Sequence, residues 1–433
     1  MRGRGRSLAK ASTSIYGLKL GEAVVSTLLA ATLARLLGAA GYGDYSLAIV
    51  VATLGVVLAQ IGLPPLVIRE TAAALTNNKG SAHAFWQWAL RTAFGSAVGV
   101  SVILGIAFLI VDRYDLGDPS AALYGALALI PVLTAMQLHN ARLRGRGHTV
   151  IAQAIRSIMR PTGLLTLAAG SWLIGATVLP GGAVLLNLVA SLAALLCAVA
   201  LVWRKESPRR ANEISSRVGI REALPFAVTE GLQRFNAYAD ILLLGLLGTS
   251  EAVGTYRVAT QLALIVSMVL DTIAFAAAPI LASLYASGDF AKLQRLARRA
   301  AQAATLTAAA AFTGIGALGQ IALAYAFGNE FVSAYAPLLI LAAGHSLNAA
   351  FGLCAAVLNM TGFHRRVSLG LGAGTTVNVV LNAALIPTFG MMGAATATAL
   401  STLVWNIILW RATRRYLGIN TACFGFSKAK TGR

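Results

Sequence analysis

Acidic residues are scarce in this chain. Asp and Glu number 15 against 35 Lys and Arg, and charged residues of both signs make up 12% of 433 positions. Cysteine is scarce too. Cys197, Cys354 and Cys423 form no CxxC pair, which excludes a disulfide framework and a zinc site. No Gly-Lys dipeptide occurs, so the chain has no P-loop for ATP. No cofactor or metal site is read anywhere. What remains is apolar: 57% hydrophobic residues and a mean hydropathy of +0.73, which fit a polytopic membrane protein and little else.

Twelve apolar stretches cross the sequence, at roughly 14–37, 45–65, 85–111, 121–139, 150–174, 183–203, 223–247, 256–285, 303–327, 335–360, 367–387 and 391–414. A helix needs about 20 apolar residues to cross the hydrocarbon core. The basic residues between the stretches fall in alternate loops. Those loops and the two ends hold 27 of the 35, including Arg142, Arg144 and Arg146, the run from Arg204 to Arg221, and Arg414, Arg415, Lys428 and Lys430. The opposite loops hold only Arg113 and Arg257, together with Asp44, Asp112, Asp115, Asp118, Glu251 and Glu330. Short basic loops mark the cytoplasmic side, so both ends are expected inside. The net charge of +20 is spread over seven such segments, which sets nucleic acid aside as a partner. The first stretch carries Lys19, Glu22 and Arg35, unlike a cleaved signal peptide. Trp86, Trp88, Trp172, Trp203 and Trp410 fall near span ends, as an interfacial belt would place them.

The two halves look duplicated. Leu36-Leu37-Gly38 recurs as Leu246-Leu247-Gly248, and Gly43-Asp44-Tyr45 matches Gly254-Thr255-Tyr256 at an offset of 211. An offset of six spans keeps the orientation, so the expected fold is all-α: two pseudo-symmetric six-helix lobes around an axis normal to the membrane. The lobes are expected at 1–210 and 211–433, joined by the basic loop Arg204 to Arg221. All outer loops are short; the longest, Asp112 to Ser120, leaves no room for the extracytoplasmic catalytic loop of a glycosyltransferase or polymerase. A transporter is expected, not an enzyme. Glycines at 370, 372 and 374, and Gly95 with Gly99, read as close helix packing.

Ionisable groups inside spans mark a pathway or a buried pair. Lys19 and Glu22 lie in span 1, Arg156 and Arg160 in span 5, Glu230, Arg234 and Asp240 in span 7, and Asp271 in span 8. By helical rise, Lys19 and Arg156 sit about 10 Å from the inner helix ends, Arg160 and Arg234 about 16 Å, and Asp271 about 21 Å. Lys19, Arg156, Arg160 and Arg234 thus gather in the inner half of the membrane. Two readings stand side by side. The arginines snorkel to the interface, or they form an anion site, since a guanidinium fork matches phosphate oxygens. Glu230 with Arg234 (i,i+4) and Lys19 with Glu22 (i,i+3) have the spacing of internal pairs. Glu22, Glu230 and Asp271 are candidates for gating or ion coupling. Asp240 reads as interfacial, and His83, His139, His148 and His364 fall at cytoplasmic span ends. Pro161, Pro225 and Pro279 begin or interrupt spans.

Three segments carry a family resemblance. Leu33-Ala34-Arg35-Leu36-Leu37-Gly38-Ala39-Ala40-Gly41-Tyr42-Gly43-Asp44-Tyr45 resembles the span 1–2 signature of bacterial polysaccharide flippases. Gly62-Leu63-Pro64 with Ile68-Arg69-Glu70-Thr71-Ala72 resembles their span 2 ending, and Phe389-Gly390-Met391-Met392-Gly393-Ala394-Ala395 their span 11–12 turn. The family belongs to the multidrug/oligosaccharidyl-lipid/polysaccharide superfamily. The resemblance implies a V-shaped, MATE-like pair of lobes working by alternating access in the bacterial inner membrane. It implies a polyprenyl-pyrophosphate-linked oligosaccharide as substrate, for O-antigen (lipopolysaccharide), capsule or exopolysaccharide synthesis. Membrane lipids, glycosyltransferases and a polysaccharide polymerase are the implied partners. It also implies a cationic central cavity, to which Lys19, Arg156, Arg160 and Arg234 correspond by character and location. Two alternatives stay open: a drug/cation antiporter of the same superfamily, and a non-transporting membrane subunit of a glycan-assembly complex.

The charge asymmetry generates a topology prediction. Cysteines placed at 116 and 330 are expected to react with an impermeant thiol reagent in intact cells, and those at 145 and 212 are not. Labelling at 212 from outside would overturn the orientation.

Overall fold

The computed structural model describes residues 2–77, 82–113, 121–204 and 220–423, and these form helices and short connections. Lys79, Asp115, Asp118, Lys205, Arg209, Arg210, Arg217, Lys428, Lys430 and Arg433, and positions 116 and 212, lie outside the described residues. The helices are α1 Arg2–Gln60, α2 Leu63–Asn77, α3 Ala82–Arg113, α4 Ala121–Gly145, α5 Thr149–Ala154, α6 Arg160–Leu173, α7 Pro180–Arg204, α8 Ile220–Leu247, α9 Ser250–Ala286, α10 Phe290–Ala326, α11 Tyr335–Phe351, α12 Cys354–Met360 and α13 His364–Leu417. A π-helical turn, Ile155–Met159, joins α5 to α6, and a 3₁₀ turn, Asn329–Ala334, precedes α11. Eight of the described helices are long and apolar enough to cross a membrane, which makes this a multi-pass membrane protein.

Two helices are too long for one crossing. A straight α1 would run about 90 Å, against a hydrocarbon core of roughly 30 Å. Each breaks at one glycine: Gly38 in α1 (φ 68°, ψ 177°) and Gly390 in α13 (φ 53°, ψ −132°). Both glycines lie in the family-like segments, between expected spans 1 and 2 and between 11 and 12. An L side chain at such φ is strained, so glycine sets the corner. Two expected spans differ from the observed helices. Span 2 stops at Gln60 rather than 65, where Ile61 (φ 49°) and Gly62 (φ 72°) turn the chain into α2. Span 10 is interrupted at Gly352 (φ 72°), which separates α11 from α12.

The chain divides into two compact units, Met1–Arg234 and Phe235–Arg433, with the border inside α8. In the first, α4 is central and packs on α1, α2, α3 and α7. Its residues Ala122, Ala126, Leu129, Ile130, Leu133 and Leu138 are buried. In the second, α9, α10 and α11 pack on one another, and α13 covers α11 and α12. The buried stripe of α10 is Ala297, Ala300, Ala301, Ala304 and Ala308. Helices in lipid gain from such small faces because their backbones approach closely. Beyond α13 the chain turns back as a buried strap. Asn420 accepts from Trp410 Nε1 at 2.8 Å, its N–H donates to Gln294 Oε1 at 2.7 Å, and Cys423 N–H donates to Ala350 O at 2.9 Å.

The two expected packing motifs part company. A Cβ on Gly370 or Gly374 would press on Leu409 (2.8 Å) or Trp405 (3.1 Å) of the same hairpin, so these glycines do pack closely. Nothing lies within 4 Å of a Cβ on Gly95 or Gly99, and the expectation of packing there is corrected: this stripe of α3 faces outward. The tryptophan belt is also split. Trp172 and Trp203 are exposed, but Trp86 is buried beneath the Arg142 guanidinium, 4.0 Å from its ring centre. His139, whose place at a span end suggests a solvated or interfacial role, is buried as well, its ring edge-on to Trp86 and Nδ1 2.8 Å from Ala135 O.

The glycine contrast is testable by thermal stability of the purified protein in detergent. Gly374→Leu is expected to cost about 1–3 kcal/mol through overpacking. Gly95→Leu is expected to stay within about 0.5 kcal/mol.

Candidate functional site

The charged residues of the first unit meet around the middle of the fifth expected span. Pro161 has no N–H and its ring crowds the preceding turn. The chain answers with the π turn Ile155–Met159, closed by the Arg160 N–H on Ile155 O. Thr162 Oγ1 donates to the neighbouring carbonyls of Ile158 (2.6 Å) and Met159 (3.1 Å). Turns of this kind are frequent at functional sites. Arg156, within this turn, and Arg160, just after it, both expected on one helix face, go separate ways.

Arg160 reaches α7. Its Nε donates to Ser191 Oγ at 3.1 Å and its Nη2 to Asn187 Oδ1 at 3.0 Å. Ser191 Oγ in turn donates to Asn187 Oδ1 (3.3 Å), and Asn187 Nδ2 donates to Tyr45 Oη (2.9 Å). Asn187 and Ser191 are fully buried. Arg156 is exposed and donates through Nη2 to Gln153 Oε1 at 3.4 Å. Glu22, Arg234, Arg144 and Glu230 act on it electrostatically. Gln153 Nε2 donates to Ser157 Oγ, and Ser157 Oγ donates to Glu22 Oε2, both at 2.6 Å. Glu22, Glu230 and Arg234, three of the expected site residues, thus lie within electrostatic reach of a fourth, Arg156. Lys19 is exposed one helical turn before Glu22. Asp271 belongs to the second unit, at an exposed position of α9.

In the second unit the structure corrects the reading of Asp240 as interfacial. It is 5% exposed. Its carboxylate accepts from Tyr256 Oη at 2.7 Å, from the Ile241 N–H at 2.9 Å and from Thr398 Oγ1 at 3.5 Å. Thr398 Oγ1 also accepts from Asn378 Nδ2 at 3.3 Å, and Asn378 Oδ1 accepts from Asn382 Nδ2 at 3.1 Å. The pattern matches the spacing of the expected duplication. Tyr45 with Asn187 and Tyr256 with Thr398 are related by the same offset of 211 residues. In the first unit Asn187 donates to the Tyr45 hydroxyl, and in the second Tyr256 and Thr398 both donate to the Asp240 carboxylate. One knot adds a cation, Arg160, and the other an anion, Asp240. The signal was present in the sequence as Asn187 and Ser191, i,i+4 in an otherwise apolar stretch, and it was not used.

A third polar contact lies at the start of α8. Arg69 of α2 donates through Nη2 to Glu222 Oε2 (2.8 Å) and through Nε to Glu70 Oε1 (3.0 Å). Glu222 first, and Glu70 after it, hold the guanidinium protonated above its ordinary range.

Solved structures share this helical fold. An inward-closed lipid II flippase MurJ matches with a TM-score of 0.71 at 11% identity, covering 92% of this chain and 87% of that one. An inward-facing multidrug-resistance MATE transporter of the MOP superfamily matches with a TM-score of 0.66 at 16% identity, covering 91% and 94%. Residues 8–285 match the polysaccharide biosynthesis protein family, and the chain belongs to that family. A probable low-salt glycan biosynthesis flippase, Agl15 of Haloferax volcanii, is 26% identical over 308 residues. The match takes in 69% of this chain and 61% of the length of that relative.

The knot in the second unit predicts an order of stabilities. Tyr256→Phe removes the shortest donor to a buried carboxylate and is expected to cost about 1–3 kcal/mol. Thr398→Val loses a 3.5 Å contact to Asp240 and an acceptor for Asn378 Nδ2, which Ser401 Oγ still serves at 3.2 Å, and is expected to cost less. Unfolding in detergent measures both, and the reverse order would contradict the assignment of Tyr256 as the main donor.

Proposed function

We propose that this chain is a flippase that moves a polyprenyl-pyrophosphate-linked oligosaccharide across a bacterial inner membrane by alternating access, supplying O-antigen, capsule or exopolysaccharide synthesis. The observation that carries the reading is that Arg234 and Arg144, together with Glu22 and Glu230, act electrostatically on Arg156 within one unit. Cations outnumber acids there, which suits an anionic headgroup and not a cationic drug. Membership of the polysaccharide biosynthesis family supports a glycan substrate. The relative Agl15 is described as a glycan biosynthesis flippase, and the structural neighbour MurJ as a lipid II flippase.

In this proposal the chain crosses the membrane twelve times with both ends inside, in lobes 1–210 and 211–433. Arg156, Arg160, Arg234 and Lys19 meet the pyrophosphate, Glu22 and Glu230 gate the approach, and Asp271 couples an ion. No reaction is assigned to the chain. Glycosyltransferases and a polymerase act before and after it. Arg160 enters the site already oriented by Ser191 and Asn187, which lowers the ordering cost of binding.

The test is translocation of a lipid-linked oligosaccharide in reconstituted vesicles. Losing a buried charge-assisted contact costs about 2–5 kcal/mol. Arg160→Ala and Arg234→Ala are each expected to cripple transport with protein level unchanged, and the lysine variants to recover it in part, because an ammonium lacks the planar fork. Full transport by the double alanine variant would reject the site.

A further inference from the structure

The segment Gly62-Leu63-Pro64 … Arg69-Glu70 stands apart from the charged cluster, yet it meets the helix that carries two of the cluster's members. Ile61 is the only non-glycine among the described residues with a left-handed backbone, and Gly62 continues the same turn. A β-branched residue there is a conformational outlier that the surroundings must enforce. What enforces it is α8. A Cβ on Gly62 would overlap the Ala223 carbonyl oxygen and the Ala227 nitrogen, so only a glycine admits this approach. One turn further, a Cβ on Gly231 would lie 3.9 Å from Val57 Cγ1 of α1. Ala223 shares a core with Leu63, Leu66 and Val67 of α2 and with Phe85, Trp86 and Ala89 of α3. Arg69 closes the edge of this contact on Glu222 at 2.8 Å.

Ala223, Ala227 and Gly231 recur every four residues and form one stripe of α8. Glu230 and Arg234 follow three residues after Ala227 and Gly231, beside the same stripe. Rotating α8 by a single residue would swing them by about 100°. We infer that the Ile61–Gly62 corner, closed by the Arg69–Glu222 pair, is a seat that fixes the rotation and depth of the first half of α8 and so sets which way Glu230 and Arg234 face. Gly62, Arg69 and Glu222 are positioning residues on this view. The seat itself is independent of the substrate; its consequence for transport rests on the proposed reading of Arg234.

The experiment is a cross-link within the full chain in native membranes. Cysteines replace Val57 and Gly231 in a background where Cys197, Cys354 and Cys423 are alanine, and a copper-phenanthroline oxidant joins them. Transport by each variant is measured alongside. Arg69→Glu and Glu222→Arg are each expected to slow cross-linking about two- to fivefold, the range an exposed ion pair supports. The exchanged pair, Arg69→Glu with Glu222→Arg, is expected to restore it, and transport is expected to follow the same order. Gly62→Ala is expected to abolish the cross-link, and the exchanged pair serves where that variant fails to fold. Cross-linking that ignores both single reversals, or that the exchange does not restore, overturns the seat. Loss and rescue of the cross-link with unaltered transport upholds the seat and removes Arg234 from the substrate site.

Discussion

A charge placed among apolar helices gives up its water, and in lipid nothing outside the protein replaces it. The cost is several kcal/mol unless fixed dipoles take over. Both units are organised by that demand. In the first, the Arg160 guanidinium is met by Ser191 and Asn187, and Asn187 is itself held by the Tyr45 hydroxyl. In the second, the Asp240 carboxylate is met by Tyr256, Thr398 and a backbone N–H. The tyrosine and its partner occupy corresponding places in the two halves. One polar cluster encloses a cation, Arg160, and the other an anion, Asp240.

The same shortage of water governs the backbone. A helix in lipid has no external partner for its N–H and C=O groups, so breaks occur only where something local repairs them. Pro161 is accommodated by a π turn and by Thr162, whose hydroxyl donates to two carbonyls. Gly38 and Gly390 turn long helices back at positive φ. The break at Gly352 is covered by the strap after α13, which leaves room only for glycine: a Cβ there would press on Ala301 at 2.6 Å and on the Thr421 carbonyl at 2.5 Å. These repairs put side chains where a straight helix would not, which is how Arg156 and Arg160 come to face different neighbours.

Packing between helices relies on small residues rather than large ones. The alanine stripe of α10, the Ala223–Ala227–Gly231 stripe of α8 and Gly370 with Gly374 of α13 all let backbones approach closely. Close approach gives dispersion contact and a fixed register at little cost in side-chain entropy. Register matters wherever a helix carries charge, because one residue of rotation moves a guanidinium to another face.

The sequence by itself determined that the chain is helical and built for a membrane, and it located the family through three short segments. Those follow from local properties: hydropathy over about 20 residues, and glycines where the chain must turn. It also singled out Glu22, Arg156, Glu230 and Arg234 as candidates, because a charge in an apolar stretch is conspicuous without any structure. Burial was not legible. Asp240, Trp86 and His139 all read as interfacial, since distance along a helix gives depth but not which face is covered. The packing of Gly95 was misjudged for the same reason; the GxxxG spacing is identical whether the stripe meets a helix or faces outward. Only the tertiary structure decided that Arg160 turns to Asn187, that Ser157 holds Glu22, and that Gly62 grips the first turns of α8. Those contacts join residues from 27 to more than 150 positions apart, and their geometry depends on the rotation of each helix, a quantity set by packing rather than by composition.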